Sequence, residues 1–422
     1  MSAPATLRGV AGQAGSRLAE LLGEGLRPVA SLDSAGARLP RVVAEVDGPE
    51  PGSGPEAAGL PDGAARAEAL ALRLRSAQVE LRWGDPVAVE SLAELLRLCR
   101  ARGRSSVEIW RADPPLLSGL QLGAWFDAPW RTRLLRRVPP LAAAARRLAL
   151  RSPRMLAAAA DLAFWAGARE LASAAEWRRL TSSHVVLVYH RFAGELKPGQ
   201  ERIDISPARF ARQLRALRLA GFRPLRPEQL FGFHAGEPNE LPRRGFAITV
   251  DDAISDCVAP LLRAARFDPQ LFVPTAELGS TAHWIDGEPV ADWEEVRELA
   301  AAGIAIGSHT RHHRRLTELS TEERERELAG SLAELRERVP GALEVIAYPN
   351  GDHDAVVCAA ARAAGYRAAF TTEKGRNGAG TDPYRLRRVS VHGADGALAV
   401  LWKALTGEAL PERRLRIRAR RG

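Results

Sequence analysis

The sequence predicts an α/β fold: a mostly parallel sheet with helices outside it, open or closed into a barrel, preceded by a smaller α/β segment and a helical segment. Three observations carry this. Short apolar strands alternate with well-bounded helices through the second half of the chain. The run His184 to Tyr189, HVVLVY, is continuously apolar, as suits a strand buried on both faces. The apolar share of 46% and charged share of 26% sit at globular averages, and 422 residues at roughly 100 to 200 per domain make two or three domains.

The elements follow in order. Residues 1–64 are an N-terminal segment ending in a linker, since 47–64 are dominated by Gly, Pro, Asp and Glu. Residues 65–130 read as a small α/β segment, with a strand Val79 to Arg82, a helix Ala88 to Arg102 closed by Gly103, and a strand Ser106 to Trp110. Residues 131–182, rich in Ala and Arg with Leu and Trp at helical spacings, read as two or three connecting helices. From 183 to 405 the alternation sets in. Ser206 and Pro207 open a helix with Phe210, Leu214 and Leu217 on one face, and Gly221 closes it. Phe246 to Val250 and Leu271 to Val273 are strands. Asp292 caps a helix from Trp293 to Ala302, and Ile304 to Ile306 is the next strand. Ser320 with Glu323 forms a capping box for a helix carrying Leu328, Leu332, Leu335 and Val339. Strand Val345 to Tyr348, helix Asp354 to Ala364 and strand Ala368 to Thr371 complete the series, and 406–422 form a basic tail with six Arg between Arg413 and Arg421.

A formal charge of +9 implies attraction to anionic partners without choosing among lipid, nucleic acid and glycan. Cys99, Cys257 and Cys358 offer neither a disulfide framework nor a zinc ribbon, which favours a reducing compartment. The first 22 residues lack the apolar core of a secretory signal. The most membrane-like stretch, Pro139 to Ala168, is broken by five charged residues, short of the roughly 20 apolar ones a spanning helix needs. The expected location is the cytoplasm or the inner membrane surface, with peripheral contact to anionic lipid and no specific nucleic acid partner. Nothing in the sequence sets the oligomeric state.

Three chemical clusters follow strand ends, where α/β folds place their sites: Asp251-Asp252, the stretch His309 to His313, and Tyr348-Pro349-Asn350-Gly351. Adjacent carboxylates at a strand end can divide their roles, one holding a cation and the other facing substrate. His309 and His313 are four apart, which on a helical turn brings two imidazoles to one side. One carboxylate and two imidazoles leave a divalent cation an open position, as in a catalytic site.

In this order the clusters resemble the polysaccharide deacetylases, carbohydrate esterase family four, whose catalytic unit is the NodB-homology domain. The resemblance covers about 183–393 and rests on VVLVYHRF, SPARFARQLRALRLAGF, ITVDDA, the run from DWEEVRELAAAGIAIGSHTRHHRRLTELS, AYPNG and AAGYRAAFTTEKG. It implies a distorted (β/α) barrel and a metal-dependent hydrolase removing N-acetyl groups from an N-acetylated sugar polymer or glycolipid. By the same resemblance Asp252, His309 and His313 ligate the metal, with zinc the default and cobalt, nickel or iron fitting the same ligands. Asp251 is the general base and the backbone N–H of Asn350 an oxyanion donor. His392, in RLRRVSVHG, is the candidate acid for the leaving amine, with Asp382 or Arg385 as its support. Thr310 ties down the loop between the ligands, and His312 turns away from them. Tyr348, Pro349, Trp284 and Trp293 are the expected substrate-binding residues.

Four positions depart from the family pattern: Val250 for Phe, Ala253 for Gly, Ala347 for the Arg that orients the base, and Asn350 for an aromatic residue. Ala253 restricts a turn wherever positive φ is needed. These departures keep a catalytically weak or inactive glycan-binding relative as an alternative. The charge keeps a basic membrane-surface or nucleic-acid binder as another.

Overall fold

The computed structural model describes residues 91–409 except 129, 138–146, 194–203, 239 and 286, together with a short antiparallel pairing of Val42–Val43 with Arg82–Trp83. The linker 47–64, the basic tail beyond 409 and most of the Val79 to Arg82 strand lie outside the described residues. The chain divides into two compact units, 1–181 with 378–380, and 182–377 with 381–422.

In the first unit, α1 (Leu92–Ala112) starts at Ser91, whose hydroxyl accepts the Glu94 N–H at 3.2 Å. It is followed by α2 (Trp130–Arg137), α3 (Pro153–Leu171) and α4 (Ala174–Thr181). Two expectations are corrected here. Gly103 does not close a helix, and Ser106 to Trp110 is not a strand, because α1 runs unbroken through both. Gly103 serves close approach instead: a Cβ there would stand 2.0 Å from the Phe164 carbonyl oxygen, and one on Gly167 would stand 1.8 Å from that of Arg100. The two glycines let α1 and α3 cross with their backbones nearly touching. Val107, Ile109 and Trp110 then pack with Trp125, Phe164 and Trp165. Arg136 is held between the rings of Trp125 and Trp165, at 5.0 and 4.8 Å, while pairing with both oxygens of Asp161 at 2.7 and 2.6 Å.

The second unit is a curled half-barrel with helices outside it. Its main strands are β1 (Ser183–Tyr189), β2 (Gly245–Val250), β3 (Gln270–Val273), β4 (Ala305–Ser308), β5 (Val345–Ala347) and β6 (Ala368–Phe370). They lie side by side in sequential order and pair in parallel, with β7 (Val389–Ser390) joining the free side of β1. Each crossover carries helix: α5 (Pro207–Leu219) and α6 (Pro227–Ala235), then α7 (Val258–Ala264), α8 (Trp293–Ala301), α9 (Thr321–Arg338) and α10 (Ala355–Ala363), with α11 (Ala397–Thr406) after β7. The predicted strands and caps of this unit are therefore where the sequence placed them, including the cap at Asp292 and the capping box at Ser320, and Asp292 forms a capping box of its own with Glu295. Strand alternation sorts the core. Val185, Leu187 and Tyr189 face the helices with Phe246, Ile248 and Val250. Val186, Ala247, Phe272, Ala347 and Phe370 fill the barrel interior. This parallel order sends the C-terminal ends of β1 to β6 to one edge, which carries all three chemical clusters. Among the described residues no helix is long and apolar enough to cross a membrane.

Replacing Gly103 with Ala forces α1 and α3 apart and is expected to lower stability by about 1–3 kcal/mol, the usual penalty of overpacking. Urea unfolding of the full chain measures this, and an unchanged transition would refute the close crossing.

Candidate metal and catalytic site

Strand β2 ends at Val250, and the two carboxylates follow at once. Asp251 continues the strand, its N–H donating to the Tyr189 carbonyl at 3.0 Å. Asp252 and Ala253 then both take left-handed backbone, φ 70° and 52°. The divergence of the two carboxylates comes from this turn rather than from extended backbone. Ala253 occupies the conformation that its missing glycine would favour, at a cost of roughly 1–2 kcal/mol.

The His309 to His313 stretch is likewise not a helical turn. It is a loop with Thr310 and His313 at φ 67° and 55°. Buried hydroxyls fix it: Ser308 Oγ accepts the Thr310 N–H at 3.1 Å, Tyr366 OH lies 2.9 Å from the same oxygen, and Ser331 Oγ donates to the Thr310 carbonyl at 3.0 Å. Thr310 Oγ1 accepts the His313 N–H at 3.1 Å, tying the loop between the imidazoles. His312 points elsewhere, its Nδ1 2.7 Å from Glu327 Oε1.

The loop brings His309 Nε2 to 3.4 Å and His313 Nε2 to 3.2 Å from Asp252 Oδ1, and one potential ligand atom from each of the three residues lies within 4.8 Å of the others. His309 Nδ1 is 2.7 Å from the Ala347 carbonyl, which fixes its N–H there and turns the Nε2 lone pair toward the carboxylate. This donor set fits a divalent cation with a position left open. Trp284 closes one side, its ring stacked on His313 at 4.5 Å and its indole N–H donating to Asp252 Oδ1 at 3.1 Å.

Asp251 is answered from the barrel interior by Arg388, a fully buried residue that sequence reasoning missed. Its Nη1 donates to Asp251 Oδ1 at 2.7 Å and to Thr249 Oγ1 at 3.2 Å, its Nε to the Thr371 carbonyl at 2.9 Å, and its guanidinium lies 5.6 Å from the Phe370 ring centroid. Ala347 brings no charge to Asp251, and Arg388, directly before β7, supplies one. The available signal was an Arg directly before the β-forming Val389-Ser390-Val391, an inward position that only a partnered charge tolerates. Burial works to raise both carboxyls. Arg388 and then His309 nevertheless hold Asp251 below the usual carboxylate range. The two imidazoles beside it, His309 and His313, hold Asp252 well below it. Burial works to lower His309, but Asp251 and Asp252 raise it, while burial prevails at His313 and lowers it.

The remaining expected residues scatter. His392 follows β7 at the same edge of the sheet, its backbone N–H held by Asp395 at 2.6 Å. Asp382 caps Tyr384, and Arg385 pairs with Glu373 and His353, while the Asp395 contact is to the backbone of His392 and not to its imidazole. Asn350 sits exposed with φ 56°, which Asn tolerates, and its carbonyl accepts from Thr372 Oγ1 at 3.3 Å. Tyr348 is corrected from pocket wall to core: it is fully buried, donates to the Tyr384 carbonyl at 3.3 Å and stacks on His353. Pro349 is buried beside it. Trp293 packs against the helical side of the core with Arg338 4.9 Å above its ring, away from the ligand set. Trp284 is the one predicted substrate residue that reaches the ligands.

An α/β half-barrel whose carboxyl edge gathers a carboxylate and two imidazoles beside a second, clamped carboxylate has the donor set of a hydrolytic cation site. Residues 239–369 match the family model for polysaccharide deacetylase, and the chain carries a polysaccharide deacetylase domain there. YxkH of Bacillus subtilis, which bears the name of a polysaccharide deacetylase, is 25% identical over 211 residues, 49% of this chain and 70% of that one. Among solved structures, the deacetylase PplD of Streptococcus pyogenes in complex with acetate is similar at 19% identity and a TM-score of 0.46, covering 54% of this chain and 99% of that one. IcaB from Ammonifex degensii is similar at 25% identity and a TM-score of 0.44, covering 54% and 98%.

Replacing Arg388 with Met strands a buried carboxylate, so stability falls by about 3–5 kcal/mol. Adding Asp251→Asn removes that charge and recovers most of the loss. Denaturant unfolding of the single and double variants measures both effects, and a harmless Arg388→Met would contradict the clamp.

Proposed function

We propose that the protein is a divalent-cation-dependent N-deacetylase that hydrolyses acetamide groups on an N-acetylated glycan or glycolipid. The observation that carries this is the division of labour at the end of β2. Asp252 is engaged by two imidazoles, and Asp251, directly before it in the chain, is engaged by neither directly and is kept ionised by Arg388.

Asp252, His309 and His313 would hold the cation. Zinc suits this donor set, and cobalt, nickel or iron share it. A bound cation supplies Lewis-acid polarisation of the acetamide carbonyl and acidifies water. The chain's own groups do the rest. The Asp251 carboxylate accepts the proton of the attacking water, and Arg388 fixes its direction. The backbone N–H of Asn350 is assigned to the developing oxyanion. His392 is assigned to protonate the departing nitrogen, so that water and acetamide become acetate and a free amine. Trp284 packs one flank of His313 and excludes water there.

The test is acetate release by the cation-loaded protein from N-acetylglucosamine oligomers of several lengths, beside His309→Ala and Asp251→Asn. Wild type is expected to release acetate, with each variant slower by about 100-fold or more, in line with loss of a positioned acid–base group. Equal rates in wild type and Asp251→Asn would refute the assignment of the base. No release by a stoichiometrically loaded wild type from any oligomer would refute the substrate class.

A further inference from the structure

Beside the ligand loop lies a polar cleft of about 520 Å³ whose lining is wholly charged or imidazole. Three guanidiniums, from Arg311, Arg314 and Arg326, face two carboxylates, from Glu323 and Glu327, with His283 and His312 completing the wall. The carboxylates are already engaged. Glu327 is buried and accepts the backbone N–H of both Arg311 and His312, at 3.0 and 2.9 Å, as well as contacting His312 Nδ1. Glu323 accepts from Arg314 at 3.1 Å and from the Ser320 N–H at 3.1 Å in the capping box of α9. Arg311 is paired with Glu334, which is not part of the lining, at 2.9 Å. Arg326 is exposed and has no ion-pair partner among the described residues. The lining therefore includes one guanidinium, that of Arg326, with no ion-pair partner among the described residues.

The cleft also adjoins the reaction centre. His312 directly precedes the ligand His313. The His283 ring meets Trp284 edge-on at 4.8 Å, and Trp284 is stacked on His313 and bonded to Asp252. Two of the cleft's lining residues, His312 and His283, are thus chain neighbours of residues at the site, His313 and Trp284.

We propose that this cleft receives an anionic group, phosphate or carboxylate, carried by the glycan beside the reacting acetamide, with Arg326 as the principal contact. This rests on the deacetylase reading and narrows its substrate class to acidic N-acetylated glycans. A planar guanidinium suits both anions, through paired hydrogen bonds.

The experiment is calorimetric binding of three sugars to the full chain and to Arg326→Glu: N-acetylglucosamine 1-phosphate, N-acetylmuramic acid and neutral N-acetylglucosamine. At least one acidic sugar is expected to bind wild type about tenfold or more tightly than the neutral one, the size of a charge-assisted hydrogen bond. Arg326→Glu removes that preference. Preference for the first sugar alone identifies phosphate, and for the second alone carboxylate. Equal binding of all three, or a preference that survives Arg326→Glu, overturns the proposal. The variant also excludes anion capture at the ligand set, which it does not alter. Because binding is read without turnover, an Arg326-dependent preference without acetate release would overturn the deacetylase reading alone. Acetate release without such a preference would overturn the cleft alone.

Discussion

Two adjacent carboxylates buried at the end of one strand are the constraint around which the second unit is arranged. Asp251 and Asp252 are 2% and 3% exposed, and neither could remain ionised there unaided. The fold answers each from a different direction. From inside the barrel, Arg388 reaches Asp251 across Thr249 and Phe370. From the loop after β4, two imidazoles reach Asp252. The turn that separates the pair requires left-handed backbone at two successive non-glycine residues, strain that these ion pairs and hydrogen bonds hold in place.

The surrounding loops are tied to the same point. Trp284 rides on the short hairpin Thr281–Ala282 with Glu288–Pro289, and Glu288 at its far side pairs with the buried Arg191 at 2.7 Å. Arg191 also pairs with Asp204 at 2.7 Å, and the neighbouring Phe192 N–H donates to Asp256 at 2.9 Å. Burial pushes the Asp256 carboxyl up to about 6 against the effect of that bond. The loops after β1, β2 and β3 are thereby joined into one frame. This frame places the Trp284 indole against the His313 ring and the Asp252 carboxylate.

The strands were legible in the sequence because each is a short apolar run between turn signals, and the helices because their caps are explicit, as at Asp292 and Ser320. The clustering of Asp252, His309 and His313 was legible through their residue types and order along the chain, although the spacing of four was not helical: the loop is shaped by Ser308, Thr310 and Ser331. What failed shares one cause, dependence on partners distant in sequence. Val107, Ile109 and Trp110 form a short apolar run that fits strand or helix alike, and only the crossing at Gly103 and Gly167 decides it. Arg388 acquires its role when the barrel curls it toward Asp251. Tyr348 reads as an aromatic wall in a loop motif but is drawn into the core by Tyr384 and His353.

In the proposed function Asp252 and Asp251 do different work, one holding a cation and the other moving a proton. Calorimetric titration of the metal-free full chain with zinc tests this most directly when wild type is compared with Asp252→Asn and Asp251→Asn. The account predicts one ion per chain for wild type and for Asp251→Asn, and binding weakened by about 100-fold or more in Asp252→Asn, where an anionic ligand becomes a neutral one. Undiminished affinity in Asp252→Asn, or loss of the ion in Asp251→Asn, would contradict it.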